Sequence, residues 1–238
     1  MFNKEIQFVK WPTANDGPDP IPAKKLIPQW YRDGEQIFTV KKSGQTEKVG
    51  TSGPGMKSCI PFLDTLISGY LLLTQANIYV KNENNELKIS FDDDIKSDPV
   101  NIRPEELGNT IPVPAGHNPA HLIWTPVWGW KTPKGYSSLI THPLNRHDLP
   151  FTTLSGIIDS DKFWGPGNVP FFIKNDFSGT IEKGTPFAQI IPIKRDSWQG
   201  FVDDSLIEET ISSGEVVRAL DAFYKKYIYI KKDYGEKK

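Results

Sequence analysis

From Phe62 to Arg195 the apolar residues come in short runs rich in β-branched and aromatic side chains, and Pro or Gly bounds nearly every run. Runs of that kind predict short strands separated by turns. Asn84-Asn85 separates the apolar positions of 76–80 from those of 87–91, as the connection of a β-hairpin does. At the C-terminus the period changes. Val216, Val217, Leu220, Phe223, Tyr224, Tyr227 and Ile228 fall on one stripe of a 3.6-residue helix. Ser213 suits the start of that helix, Glu215 its positive end, and Lys225 and Lys226 its negative end. A shorter helix over 205–211 is expected before it, with Ser205 and Glu208 spaced as a capping box.

The opening of the chain carries Pro12, Pro18, Pro20, Pro22 and Pro28, each of which removes a backbone donor and biases its predecessor toward extended conformations. An extended surface arm is expected, docked by the apolar segment Leu26-Ile27-Pro28-Gln29-Trp30-Tyr31, with Pro28 opening a short helical turn. Gly44, Gly50, Gly53 and Gly55 among polar residues predict a loop over 41–55. The expected organisation is an arm and loop over 1–58, a barrel of short strands over 59–200 and a helical segment over 201–238.

Composition narrows the classes. The 238 residues hold 28 Lys+Arg against 29 Asp+Glu, a formal charge of -1, so no bulk positive charge is available to hold nucleic acid or an anionic membrane. A hydrophobic fraction of 37% suffices for packed cores. The single cysteine, Cys59, excludes an intramolecular disulfide framework and fits a reducing compartment. The first residues lack the apolar core of a signal peptide, and no apolar stretch approaches bilayer length. A soluble, cytoplasmic protein is expected.

Several side chains invite chemistry, each with a plainer alternative. Asp92-Asp93-Asp94 offers oxygens to a hard cation, or forms a solvated turn. His117, His121, His142 and His147, the only histidines, are candidate metal ligands, or polar loop residues. Pro119 interrupts the i, i+4 spacing of the first two. Trp124, Trp128 and Trp130 form either an aromatic platform or part of a core or interface. Cys59 is a nucleophile only beside a base, and otherwise a small buried hydrophobe.

The most informative stretch contains Pro133-Lys134-Gly135-Tyr136, then Gly156-Ile157-Ile158-Asp159-Ser160-Asp161, then Gly184-Thr185-Pro186-Phe187-Ala188-Gln189. Their order and spacing over residues 132–195 resemble the β-clip fold of the trimeric dUTPase and dCTP deaminase superfamily. As a whole the chain also resembles an uncharacterised family of similar length from tailed phages and some bacteria. The first resemblance implies a mainly β, dUTPase-like barrel, a homotrimer, and a nucleoside hairpin formed by Gly156, Ile157, Ile158 and Asp161. It implies Asp159 as the general base that activates water, with magnesium shielding the triphosphate. Phe163 stands beside the position of the family's stacking tyrosine, which is Lys162 here, and Asn175 and Gln189 match further positions of the nucleotide site.

The chain departs from that pattern where phosphate is held. His142-Pro143-Leu144-Asn145-Arg146 occupies the place of the family's phosphate grip, and Pro143 lacks a backbone donor. Trp164-Gly165-Pro166-Gly167 widens the turn after the hairpin, and a helical pattern replaces the family's glycine-rich C-terminal arm. The expectation is therefore a non-catalytic assembly or binding protein of phage type, associated with a virion or with a nucleotide or other ligand. It would reside in the host cytoplasm or the virion. The alternative is a nucleotide-acting enzyme with Asp159 as base. The plainer role for Asp159 and Asp161 is to accept bonds from nearby backbone N–H groups in a tight turn.

Overall fold

The computed structural model describes residues 4–12, 17–40, 51–83, 86–104, 111–219 and 223–236. The expected hairpin turn at Asn84-Asn85 and most of the expected 41–55 loop lie outside them. The chain divides into two units. One comprises Met1–Pro28, Thr65–Arg195 and Tyr234–Lys238, and the other Gln29–Asp64 and Asp196–Asp233.

The first unit is built from antiparallel sheets. Its five-stranded sheet runs in the order Gly156–Ile158, Tyr136–Thr141, Pro186–Lys194, Tyr70–Leu73 and Ile21–Pro22. A four-stranded sheet runs Phe151–Thr153, Val169–Ile173, Leu122–Trp124 and Val100–Ile102. Gly179–Ile181, Ile78–Glu83 and Glu86–Phe91 form a three-stranded sheet, and Gln7–Lys10 pairs with Trp128–Lys131. The fold is thus mainly β. Among the described residues no sheet closes on itself, so the expected barrel is replaced by several open sheets packed around a shared core.

That core centres on Trp124, which is fully buried. Its ring stacks on Phe171 at a centroid distance of 3.9 Å, with Phe151 at 4.9 Å and Phe187 at 5.0 Å. Burying an indole also buries an N–H, which needs a partner. Trp124 Nε1 donates to Thr153 Oγ1 at 3.1 Å, and Thr153 Oγ1 donates to the Phe187 carbonyl at 2.6 Å. Trp130 is also buried and Trp128 is half-buried against the same core, which assigns the tryptophans to packing. Tyr136–Thr141 does not alternate simply between buried and exposed positions, because neighbours cover both faces of its sheet.

The expected hairpin over 76–91 forms, with Ile78–Glu83 paired to Glu86–Phe91. The strand Gly156–Ile158 pairs with the upstream strand Tyr136–Thr141, with Leu139 opposite Ile157. No strand after the turn returns to it, since the next one, Val169–Ile173, pairs in another sheet. Gly156–Ile158 is consequently an edge, and Ile157 is 66% exposed. The proline-rich arm contributes Ile21–Pro22 to the opposite edge. Near the other terminus, Gly235 accepts a 3.0 Å bond from the Tyr70 hydroxyl, and Glu236 pairs with Lys25.

The second unit contains the helix Gln29–Asp33, the paired strands Ile37–Val40 and Thr51–Pro54, and C-terminal helical segments. Tyr31 stacks on Phe62 at 5.9 Å, which gives the aromatic end of the segment after Pro28 an apolar seat. The C-terminal helix starts earlier than expected, spanning Ile207–Ala219, and a π-helical turn occupies Tyr224–Ile228. Residues 220–222 between them lie outside the described set, and with them Leu220 of the predicted stripe. The two expected helices have merged at their start. Asp203, rather than Ser205, caps the entry, its carboxylate accepting from Ser205 N at 2.9 Å. Tyr227 is exposed, so burial within this chain does not explain that position of the stripe. Tyr229 and Lys232 both donate to Asp64, at 2.9 and 2.6 Å. Among the described residues no helix is long and apolar enough to cross a membrane.

Removing the ring that stacks on Trp124 tests the centre of the core. Phe171→Ala should cost about 3–5 kcal/mol in denaturant unfolding, from lost transfer energy and the cavity left behind. A loss below about 1 kcal/mol would show that the tryptophan does not organise the packing.

Candidate functional site

The turn after Gly156–Ile158 begins at Asp159. Ser160 N donates to the Ile158 carbonyl at 2.8 Å, and Lys162 N and Phe163 N both donate to the Asp159 carbonyl at 2.9 Å. These bonds close the turn tightly and fix where its carboxylates point. Asp161 projects inward, its side chain only 4% exposed, while that of Asp159 is 55% exposed.

Arg195, immediately beyond the strand Pro186–Lys194, meets both carboxylates. It forks onto Asp161, with Nη1 donating to Oδ1 at 2.7 Å and Nη2 to Oδ2, and Nη1 also lies 3.0 Å from Asp159 Oδ1. A planar guanidinium suits this bidentate geometry. Asp161 Oδ2 additionally accepts from Gly135 N at 2.9 Å, and Asp159 Oδ1 from the Ser137 hydroxyl at 2.7 Å. Arg195 N closes the arrangement onto the Gly135 carbonyl at 2.9 Å. Gly135 has φ +85°, a left-handed conformation that favours glycine.

These partners set the acidities. The Arg195 guanidinium, helped by the Gly135 N–H, holds the Asp161 carboxyl far below the usual carboxylate range. Asp159 is lowered first by the Ser137 hydroxyl and then by Arg195, against an opposing contribution from desolvation. Both therefore stay ionised, and the depression makes Asp159 a weaker proton acceptor.

Beneath the turn lies a chain of buried hydroxyls. Thr132 Oγ1 donates to the Tyr136 carbonyl at 3.1 Å and contacts Ser160 Oγ at 2.8 Å, which contacts Ser138 Oγ at 2.7 Å. With the threonine proton committed to that carbonyl, Ser160 must donate to Thr132, and Ser138 to Ser160. Every hydroxyl direction is thereby fixed. Neither Arg195 nor these hydroxyls stand out in the sequence as parts of a site. The available signal is the pair Ser137-Ser138 inside a strand, because polar side chains covered on both faces require partners.

The remaining predicted residues fall elsewhere. Gln189 is buried: its Oε1 accepts from Leu144 N at 2.8 Å, and its Nε2 donates to the Thr65 and Ser68 carbonyls at 2.9 and 2.6 Å. It ties three backbone groups together. Asn175 uses its backbone, donating to the Gly116 carbonyl at 2.9 Å and accepting from Asn82 Nδ2 at 3.3 Å. Gly156 and Phe163 are exposed, and Ile158 is half-buried.

The four histidines do not converge on one point, although His147 is near enough to His142 to add repulsion. His117 Nε2 lies 2.9 Å from Thr152 Oγ1. His142 Nδ1 accepts from Thr153 N at 3.3 Å, so its Nε2 donates to the Arg146 carbonyl at 3.0 Å. The His147 carbonyl accepts from Lys174 at 2.6 Å. His121 is buried against Phe172, with ring centroids 5.6 Å apart, and neither of its nitrogens has a hydrogen-bond partner. Among the described residues no three of His, Cys, Asp and Glu converge as metal ligands. Asp92 accepts from the Tyr79 hydroxyl at 2.6 Å and from Asn77 N at 3.3 Å, a turn-stabilising role. Cys59 is a free, exposed thiol, which corrects the expectation of a small buried hydrophobe.

Asp161→Asn should lower the thermal midpoint at pH 7. A depressed folded-state pKa contributes stability above the unfolded value of about 4, which is lost as pH falls through the lower folded value. The gap between wild type and variant should therefore shrink below about pH 4, and a gap that is constant with pH would exclude the ion pair as its cause. Burial lowers the His121 pKa, with Arg103 adding repulsion, and burial lowers that of His142 also. For a histidine lowered in this way, stability decreases as pH falls below about 6.5. His121→Phe should flatten part of that decrease in thermal scans between about pH 7.5 and 5.5, and an unchanged profile would show that His121 is not its source.

No protein-family model and no curated protein matches the chain, so the geometry of this turn carries the functional reading.

Proposed function

We propose that the chain is a non-catalytic binding or assembly protein of phage type, built on a β-clip-like fold that no longer performs nucleotide chemistry. The observation that supports this reading is the engagement of Asp159 by Ser137 and Arg195, which lowers its basicity. In a hydrolase of the resembling superfamily the equivalent carboxylate takes a proton from water, and a base of depressed pKa is poorly matched to that task. A homotrimer fits the reading, because open sheet edges gain from pairing between subunits. Such a protein would act in a virion or in the host cytoplasm, with a nucleotide or similar ligand held at the turn.

The alternative, a nucleotide-acting enzyme that uses Asp159 and magnesium, has one observation in its favour: more than half of the Asp159 side chain is exposed and so reachable from solvent. Incubating the purified chain with each deoxynucleoside triphosphate and magnesium separates the two readings. The expected outcome is no turnover above the uncatalysed rate. Turnover that Asp159→Asn abolishes would establish the enzyme instead.

A further inference from the structure

The turn over 159–165 and the segment over 131–136 lie against each other. Thr132 N donates to the Ser160 carbonyl at 3.2 Å, and Gly135 N to Asp161. A Cβ at Gly129 would stand 2.1 Å from the Trp164 carbonyl, so glycine there permits the close approach. Two large aromatic side chains project from this junction, Phe163 at 56% and Trp164 at 47% exposure.

Lysines lie on the same two segments. Lys131 Nζ sits 4.5 Å from the Trp164 ring centroid, and Lys4 Nζ 5.0 Å from that of Tyr136. Lys134 and Lys162 are exposed on the two turns that the Gly135–Asp161 bond joins. Arg195 already pairs with both carboxylates of the turn. Among the described residues Lys131 and Lys134 form no ion pair with a carboxylate, while Lys162 acts on the neighbouring Asp159 by longer-range attraction. The patch is locally positive on a chain whose formal charge is -1.

We propose that this lysine-rimmed aromatic turn binds single-stranded nucleic acid, with bases stacked on Phe163 and Trp164 and phosphates held by Lys131, Lys134 and Lys162. This rests on the reading of the chain as a binding protein and names its ligand class. Flat π-faces beside cations are what a single strand requires. An acidic peptide would satisfy the lysines but set carboxylates against the apolar rings. The chain-wide charge excludes binding by bulk attraction, so the interaction is local, of few phosphates, and weak at high salt.

Fluorescence anisotropy of the full-length chain with a labelled oligothymidylate of about a dozen residues tests the proposal. Each phosphate contact on a single strand contributes about -0.7 to the slope of log affinity against log salt, so three lysines predict roughly -2 between about 50 and 200 mM. Lys131→Ala, Lys134→Ala and Lys162→Ala should each make the slope shallower by about 0.7. Phe163→Ala and Trp164→Ala should each weaken binding by roughly tenfold, and Trp164→Phe should restore most of the loss, which separates stacking from misfolding. Absence of binding, a slope that the lysine variants leave unchanged, or stronger binding of a polyglutamate peptide would overturn the proposal. Its failure is distinguishable from failure of the parent reading, which turns on nucleotide turnover and not on oligonucleotide affinity.

Discussion

Arg195 joins the end of the strand Pro186–Lys194 to both carboxylates of a turn far away in sequence, and its backbone is tied to Gly135, so a single guanidinium constrains the whole junction. Asp161 is almost fully covered, and a covered carboxylate is tolerated only with its charge and hydrogen bonds satisfied. Arg195 and the Gly135 N–H meet that requirement together. The Ser137 hydroxyl and, after it, Arg195 lower the basicity of Asp159, so the contacts that hold the turn also set the acidity of its exposed carboxylate.

The strand-rich character is legible in the sequence because short apolar runs between Pro and Gly have few other solutions. The Ile78–Glu83 hairpin is equally so, its two runs being separated by turn residues. Sheet closure is not legible, since it depends on which edges meet in space. The pairing of Gly156–Ile158 shows why: the local motif resembles a hairpin, but its hydrogen bonds go to a strand that precedes it in sequence. The helical stripe predicts a start several residues late, because Asp203 competes with Ser213 as a cap and side-chain periodicity alone does not rank them.

Half of the candidate site is legible in the same way. Asp159 and Asp161 stand out as a motif, yet their roles follow from Arg195 and Ser137, which sequence proximity does not connect to them. Gln189 illustrates the opposite case. A glutamine within an apolar run has the look of a ligand-binding group, and here it serves three backbone groups, the Leu144 N–H and the Thr65 and Ser68 carbonyls.

The edge formed by Gly156–Ile158 has a consequence for solubility. A long, flat, apolar edge invites open-ended strand addition and fibre growth. This one is three residues long and ends in a turn held by its own backbone bonds. So short a template offers few ladder bonds to an added strand, which limits open-ended growth from the edge that presents Ile157 to solvent.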